Sequence, residues 1–156
     1  MVRTRIRRRK RNKTRGGAAN ENVKTNVKTN ITPKEIRKIV KVIKPHAEFI
    51  FRYQEVDVGI AKLFSDSNEV KIELINVHPN FRGRKIGTFI LDYILEFAFS
   101  NKKIERVTLV DSRQSNQFNP TKIPNKMYEK LGFIHTDSNL KDEMELTREV
   151  YEAKRA

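Results

Sequence analysis

The sequence predicts an α+β fold, a mixed α/β sheet in which hairpin-paired and crossover-paired strands lie side by side. Three observations carry that prediction. Apolar and polar residues alternate through successive runs between residues 48 and 77, the period of half-buried strands. Beyond Pro79 the period lengthens, and Ile86, Ile90, Tyr93, Ile94 and Phe97 recur at helical spacing. The resulting order is helix, three strands, helix, strand, helix, strand, strand. Strands in direct succession pair through hairpins, whereas a helix between two strands is a crossover that makes them parallel neighbours.

Residues 1–30 stand apart as a basic arm, which leaves residues 31–156 as the domain. The arm opens VRTRIRRRKRNKTR, passes through Gly16-Gly17-Ala18-Ala19 and ends in the near-repeat NVKTNVKTN. Nine of its first 15 residues are Arg or Lys and none is acidic, so residues 1–15 supply +9 of the net charge of +14. Dense like charge with little apolar surface does not offset the entropy of ordering, so disorder is expected. Such an arm is either a solvated tail or a nuclear-import or nucleic-acid patch over residues 3–15, centred on Arg7–Arg11.

The elements follow in order. Thr32-Pro33-Lys34-Glu35 has the form of a helix start, with Thr32 as cap, Pro33 first in the helix and Glu35 three residues after the cap. Ile36, Ile39, Val40 and Ile43 continue at helical spacing, so a helix is expected over 33–44, stopping before Pro45. Residues 48–53 (EFIFRY) read as a strand. A second covers 56–64, with Val56, Val58, Ile60 and Phe64 in phase and Lys62 out of place. Ser65-Asp66-Ser67-Asn68 is a turn of four turn-favouring residues. The third strand, 69–77, puts Val70, Ile72 and Leu74 on one face, then slips at Ile75, as a β-bulge would make it. A helix is expected over 84–100 and a buried strand over 106–110. Residues 111–124 are polar, broken by Asn119-Pro120 and Pro124. A short helix over 125–131 stops at Gly132. Strands over 133–136 and 144–147 complete the order, and Phe97, Phe99 and Phe133 are read as core.

Composition excludes several chemistries. There is no cysteine, hence no disulfide, no thiolate metal site and no cysteine nucleophile; no metal site is expected. No window approaches the ~18 consecutive apolar residues of a membrane span, and the basic N-terminus has no apolar segment behind it to act as a secretory signal. A soluble intracellular protein, cytoplasmic or nuclear, is expected.

The strand 69–77 runs into Arg82-Gly83-Arg84-Lys85-Ile86-Gly87 and then a helix. The first N–H groups of a helix lack internal partners and carry partial positive charge, which suits a phosphate. Two glycines let the backbone approach an anion closely, and three cations add charge. The loop lacks the Gly-Lys-Ser/Thr ending of a nucleotide P-loop and the three-glycine dinucleotide fingerprint. These features alone imply a polyphosphate without naming it.

A strand followed by Leu74-x-x-Val77-x-Pro79-x-x-Arg82-Gly83-x-x-Ile86-Gly87 resembles the central motif of the GNAT superfamily of N-acetyltransferases. Tyr128-Glu129-Lys130-Leu131-Gly132-Phe133 is similar to that superfamily's second motif, and the resemblance covers residues 56–147. It implies a GNAT-like acetyltransferase fold with a splayed central strand. It implies that the backbone of Ile75, Asn76 and Val77 pairs with the pantetheine arm of acetyl-CoA. The amides of Arg82, Gly83, Arg84, Lys85, Ile86 and Gly87 would hold the pyrophosphate, with Thr88 in the first helical turn. Tyr128 matches the tyrosine that protonates the departing thiolate. The acceptor amine must lose a proton, and the base candidates are Glu69, which lies near where some family members carry a catalytic glutamate, and Glu73; Asp111 and His78 stand behind them.

Three positions depart from the family pattern. Lys85 replaces the middle glycine of the loop, Thr121 stands where an asparagine is common (with Asn116, Asn119 and Asn125 close by), and the N-terminal portion is shortened to one helix. The expected activity is acetyl-CoA-dependent N-acetyl transfer, with a protein or peptide amine favoured over a small metabolite because the basic arm could bring the enzyme to bound proteins. A monomer or homodimer is expected. The alternatives are a GNAT-fold protein that has lost catalysis and binds nucleic acid through its arm, and a polyphosphate-binding domain without acetyl transfer.

Overall fold

A computed structural model describes residues 31–111, 126–137 and 142–156. The basic arm, Asn116, Asn119, Thr121 and Asn125 lie outside the described residues. After a 3₁₀ turn at Pro33–Glu35 come strands β1 (Arg37–Ile43), β2 (His46–Tyr53), β3 (Val56–Asp66) and β4 (Glu69–Val77). Helix α1 (Ile86–Ser100), strand β5 (Arg106–Val110), helix α2 (Met127–Leu131), strands β6 (Ile134–His135) and β7 (Glu143–Thr147) and helix α3 (Arg148–Arg155) follow. The strands form one mixed sheet in the order β1-β2-β3-β4-β5-β7-β6, with β4 and β5 parallel.

The helix expected over 33–44 is instead the 3₁₀ turn and β1. The start signal itself is real: the Thr32 backbone N–H and hydroxyl both donate to Glu35 Oε2 at 2.9 Å. It caps a single turn. Ile39, Val40, Val42 and Ile43 in β1 are β-branched, which restricts their rotamers in a helix. The strand alternative pairs every residue of β1 with β2, from Arg37↔Arg52 to Ile43↔His46. A cap worth about 1 kcal/mol does not outweigh that ladder. The chain therefore enters the sheet one strand earlier than the pattern implied, and α3 adds a terminal helix the pattern did not anticipate.

Helix α1 packs its buried residues, among them Ile90, Leu91, Ile94 and Leu95, on one sheet face. Phe49 and Phe51 of β2 meet Tyr93 edge-on from that face. Each such fully buried side chain contributes roughly 1.5–3 kcal/mol. In β3 the buried phase is Gly59, Ala61 and Leu63, while Ile60, Lys62 and Phe64 lie on the opposite face. Lys62 is thus in place, and the predicted phase was inverted beyond Val58. The reason is contact: a Cβ at Gly59 would run into Ile90 Cδ1, so the small residue lets β3 approach α1. Phe99 and Phe133 are core as expected, but Phe97 is 38% exposed. Phe97 sits at the margin of the α1 footprint, edge-on to Phe49.

Helix α3 holds the far end of α1. Arg148 donates from Nη2 to the carbonyls of Phe99 (3.1 Å) and Asn101 (2.7 Å) and from Nε to that of Ile104 (2.8 Å). The guanidinium also lies over the Phe99 ring. A cation on the last carbonyls of a helix satisfies groups that have no internal partner. Among the described residues no helix is long and apolar enough to cross a membrane.

Candidate active site

The site begins with one extra residue. Along the β3–β4 ladder, Leu63 pairs with Ile72 but Lys62 pairs with Leu74, so Glu73 is bulged out. The bulge flips the phase: Val70 and Ile72 face the core before it, Ile75 and Val77 after it, and Leu74 is turned outward, 41% exposed. The slip visible at Ile75 in the sequence is therefore real, and its origin is Glu73. Strand β4 stays paired with β3 as far as Val77↔Gly59. On its other side the parallel ladder with β5 runs only from Glu69↔Arg106 to Ile72↔Leu109. From Glu73 onward the two strands part, and the edge of β4 along Ile75, Asn76 and Val77 borders the opening.

The opening leads to the start of α1. His78 caps a 3₁₀ turn over Pro79–Phe81, its Nδ1 accepting from the Asn80 N–H at 3.2 Å. Arg82 folds back on β4, donating from Nε to the Val77 carbonyl (3.0 Å) and from Nη2 to Asn76 Oδ1 (3.4 Å). Its own amide is directed to the Pro79 carbonyl at 3.4 Å, so Arg82 ties the loop to the strand. Gly83 takes φ +76°, and no atom lies within 4 Å of where its Cβ would be. Lys85 adopts φ 60°, ψ 14°, the left-handed region, immediately before the helix. The helical bonding begins with Phe89 N–H to the Lys85 carbonyl, so the amides of Ile86, Gly87 and Thr88 have no intrahelical acceptor behind them. A groove of about 540 Å³ opens beside them, lined by Gly83, Arg84, Lys85, Thr88, Phe89 and Leu131 together with Ile31 and Ile36.

Helix α2 closes the other side. The Thr88 hydroxyl reaches Met127 Sδ at 3.4 Å, which brings the start of α2 against the start of α1. Tyr128 is half-buried, its ring 5.9 Å from that of Phe133 in an edge contact. At the end of α2, Gly132 has φ 103°, and a Cβ there would stand 2.8 Å from Val150 Cγ1 of α3. Lys154 of α3 donates to the Lys130 carbonyl at 2.9 Å. The helix that carries Tyr128 is thus held at its end by α3.

The base candidates separate by position. Glu69 and Glu73 are four residues apart on one strand, roughly 13 Å at ~3.3 Å per residue. Glu69 lies where β4 and β5 are still paired. Its Oε2 accepts from Arg106 Nε (2.9 Å) and Nη2 (2.8 Å), and its Oε1 accepts from the Thr108 hydroxyl at 2.6 Å. Glu73 follows the last residue of the β4–β5 ladder, and its side chain, 42% exposed, is turned across β3 towards β2, 3.8 Å from His46 Nδ1 and beside Lys62. Asp111 is buried at the end of β5 and donates its backbone N–H to the Asp142 carbonyl at 2.8 Å. The structure thus brings together Ile75–Val77 and the loop through Thr88, sets Glu69 apart at the paired end of β4, and turns the Glu73 carboxylate towards β2. Sequence reasoning missed Ile31, Ile36 and Phe89; they reach the groove from the segment before β1 and from α1, and no local spacing marks them.

Residues 45–135 match the family model described as an acetyltransferase (GNAT) domain, which is more than half of the chain. No curated protein sequence matches significantly. Among solved structures, the chain is similar to a mutant form of the spermidine/spermine N-acetyltransferase SpeG from Vibrio cholerae. That match has a TM-score of 0.55 and 13% identity, over 72% of this chain and 70% of the other. It is similar to a GNAT family acetyltransferase from Elizabethkingia anophelis with acetyl-CoA bound (TM-score 0.55, 14% identity, 72% of this chain and 98% of the other). A third is the PaiA N-acetyltransferase from Thermoplasma acidophilum in complex with coenzyme A (TM-score 0.54, 20% identity, 66% and 61%).

Proposed function

The chain belongs to the GNAT acetyltransferase family, and on that premise we propose that it transfers the acetyl group of acetyl-CoA to an amine. The observation that carries the proposal is the parting of β4 from β5 at Glu73, directly upstream of the amides at the start of α1. One end of that opening offers strand edge to an amide-bearing arm, and the other offers N–H groups and cations to a pyrophosphate. Ile75, Asn76 and Val77 would pair with the pantetheine, and Gly83 through Thr88 would hold the phosphates. Arg82 would keep the two halves in register.

The acceptor must attack the thioester carbonyl as a neutral amine. A lysine amine titrates near ~10.4, so at pH 7 deprotonation costs roughly 4–5 kcal/mol. A base that takes the proton, directly or through water, lowers that cost. We assign the role to Glu73, because it stands at the residue where the β4–β5 ladder has ended and its carboxylate is 42% exposed, while the oxygens of Glu69 are engaged by Arg106 and Thr108. Glu69 would instead fasten the paired end of β4 to β5. Backbone N–H donors along the splayed strand stabilise the oxyanion as the carbonyl becomes tetrahedral. When the C–S bond breaks, Tyr128 gives its phenolic proton to the departing thiolate. We favour a protein or peptide acceptor, because the nine cations of residues 1–15 would hold the enzyme near bound proteins.

Calorimetric titration with acetyl-CoA, followed by free-thiol release with spermidine, an aminoglycoside and lysine peptides, tests the reading. Saturable binding with turnover on at least one amine is expected. No binding overturns it; binding without turnover on any amine supports the arm-mediated nucleic-acid alternative. Tyr128→Phe should lower kcat by ~100-fold or more while leaving the coenzyme dissociation constant within about 2-fold. Unchanged kcat would remove Tyr128 from the acid role.

A further inference from the structure

Strand β1 ends the sheet and pairs only with β2 among the described residues. Its outer edge is a row of backbone groups able to accept another strand. Proteins blunt such edges by shortening them, bulging them, inserting proline or placing charges along them. Here all seven residues run in unbroken register, without proline or bulge. Its apolar side chains are open, with Val40 41%, Val42 50% and Ile43 62% exposed. Phe97 extends the patch on the α1 side, where Val40 lies across from Phe49. Three exposed cations, Arg37, Lys38 and Lys41, lie along β1. Lys38 Nζ is drawn back over the Phe89 and Tyr93 rings of α1, at 5.5 and 5.2 Å.

We propose that this edge binds a second copy of the chain, the two β1 strands pairing antiparallel about a two-fold axis at Val40. The order of residues in RKIVKVI argues for a second copy. In an antiparallel pair, opposite residues share a face of the sheet. The register that overlaps all seven residues sets Val40 opposite itself, Ile39 opposite Lys41, Lys38 opposite Val42 and Arg37 opposite Ile43. Every cation then faces an aliphatic side chain. The next registers on either side set Arg37 against Lys41 or Lys41 against itself, and directly opposed like charges are destabilising. Full overlap and charge separation therefore select the same register. The proposal does not depend on the coenzyme reading.

The chain has no cysteine, so one substitution introduces the only thiol. In the full-length protein, Val40→Cys should oxidise to a disulfide-linked dimer, because its two copies would stand at the axis, within disulfide reach. Val42→Cys should not, its copies being four residues apart along the pair, or roughly 13 Å. A mixture of Ile39→Cys and Lys41→Cys should give the mixed dimer in preference to either homodimer. The unsubstituted protein should sediment as a dimer, and Val40→Lys should return it to a folded monomer by circular dichroism. A monomer at every concentration reached would overturn the proposal, whether the edge is left bare or covered by another partner. Equal crosslinking at residues 40 and 42 would overturn the register.

Discussion

Lys85 stands where a glycine is common in the family, in a left-handed conformation at φ 60°. A side chain in that region costs roughly 1–2 kcal/mol, and glycine loses more chain entropy on folding, roughly 0.5–1 kcal/mol. Lys85→Gly should therefore stabilise the protein by about 0–1.5 kcal/mol, read from urea unfolding. Its side chain borders the groove with Arg84 and Thr88, so the same substitution should weaken acetyl-CoA by roughly 3–10-fold, the order of one charge-assisted contact. Unchanged affinity would show that the lysine makes no phosphate contact. The departure from glycine at residue 85 was readable from sequence; its backbone conformation follows from the turn that Gly83 opens. Arg82 is the reverse case. Its charge suggested a phosphate ligand, but its contacts with Val77 and Asn76 exist only once the loop has folded back.

At the scale of elements, the bulge at Glu73 is the decisive feature of β4. Removing Glu73 leaves Val70, Ile72, Ile75 and Val77 in strict alternation, which would let β4 run on regularly beside β3 and β5. Deleting Glu73 should thus abolish acetyl-CoA binding in calorimetry while the protein stays folded. Glu73→Gln keeps the bulge, and should retain binding while lowering kcat/KM by ~100-fold. Binding that survives the deletion would mean the opening does not depend on the bulge. The slip in alternation was legible because a period of two makes any one-residue insertion visible. Strand β1 was not legible in the same way, because its cap signal was genuine and Ile36, Ile39, Val40 and Ile43 also fit a helix. Only the partner strand β2 decides between the two periods.

At the scale of the whole molecule, α3 links the end of α1 to the end of α2. Arg148 binds the carbonyls at the end of α1, and Lys154 binds the end of α2. Arg148→Ala removes several charge-assisted bonds and leaves partly buried carbonyls without them. A loss of about 2–3 kcal/mol is expected, measured by chemical denaturation. Arg148→Lys should recover only part of it, since a point charge cannot reach three carbonyls as the planar fork does. If the alanine variant loses less than about 0.5 kcal/mol, within the range of neutral surface changes, α3 does not hold α1 in the way described.

What the sequence determined by itself was whatever depends on local order: β4 with its slip, the glycine-bearing loop, the long run of α1 and the stop at Gly132. Those features are written in spacing and in backbone-specific residues, so neighbours along the chain suffice to read them. Tertiary structure decided what depends on who lies across: β1 as a strand, the inverted face of β3 beside Ile90, the engagement of Glu69 and the exposure of Glu73. Pairing and packing energies there belong to residues distant in sequence, and they exceed the local preferences that a cap or a short apolar pattern expresses.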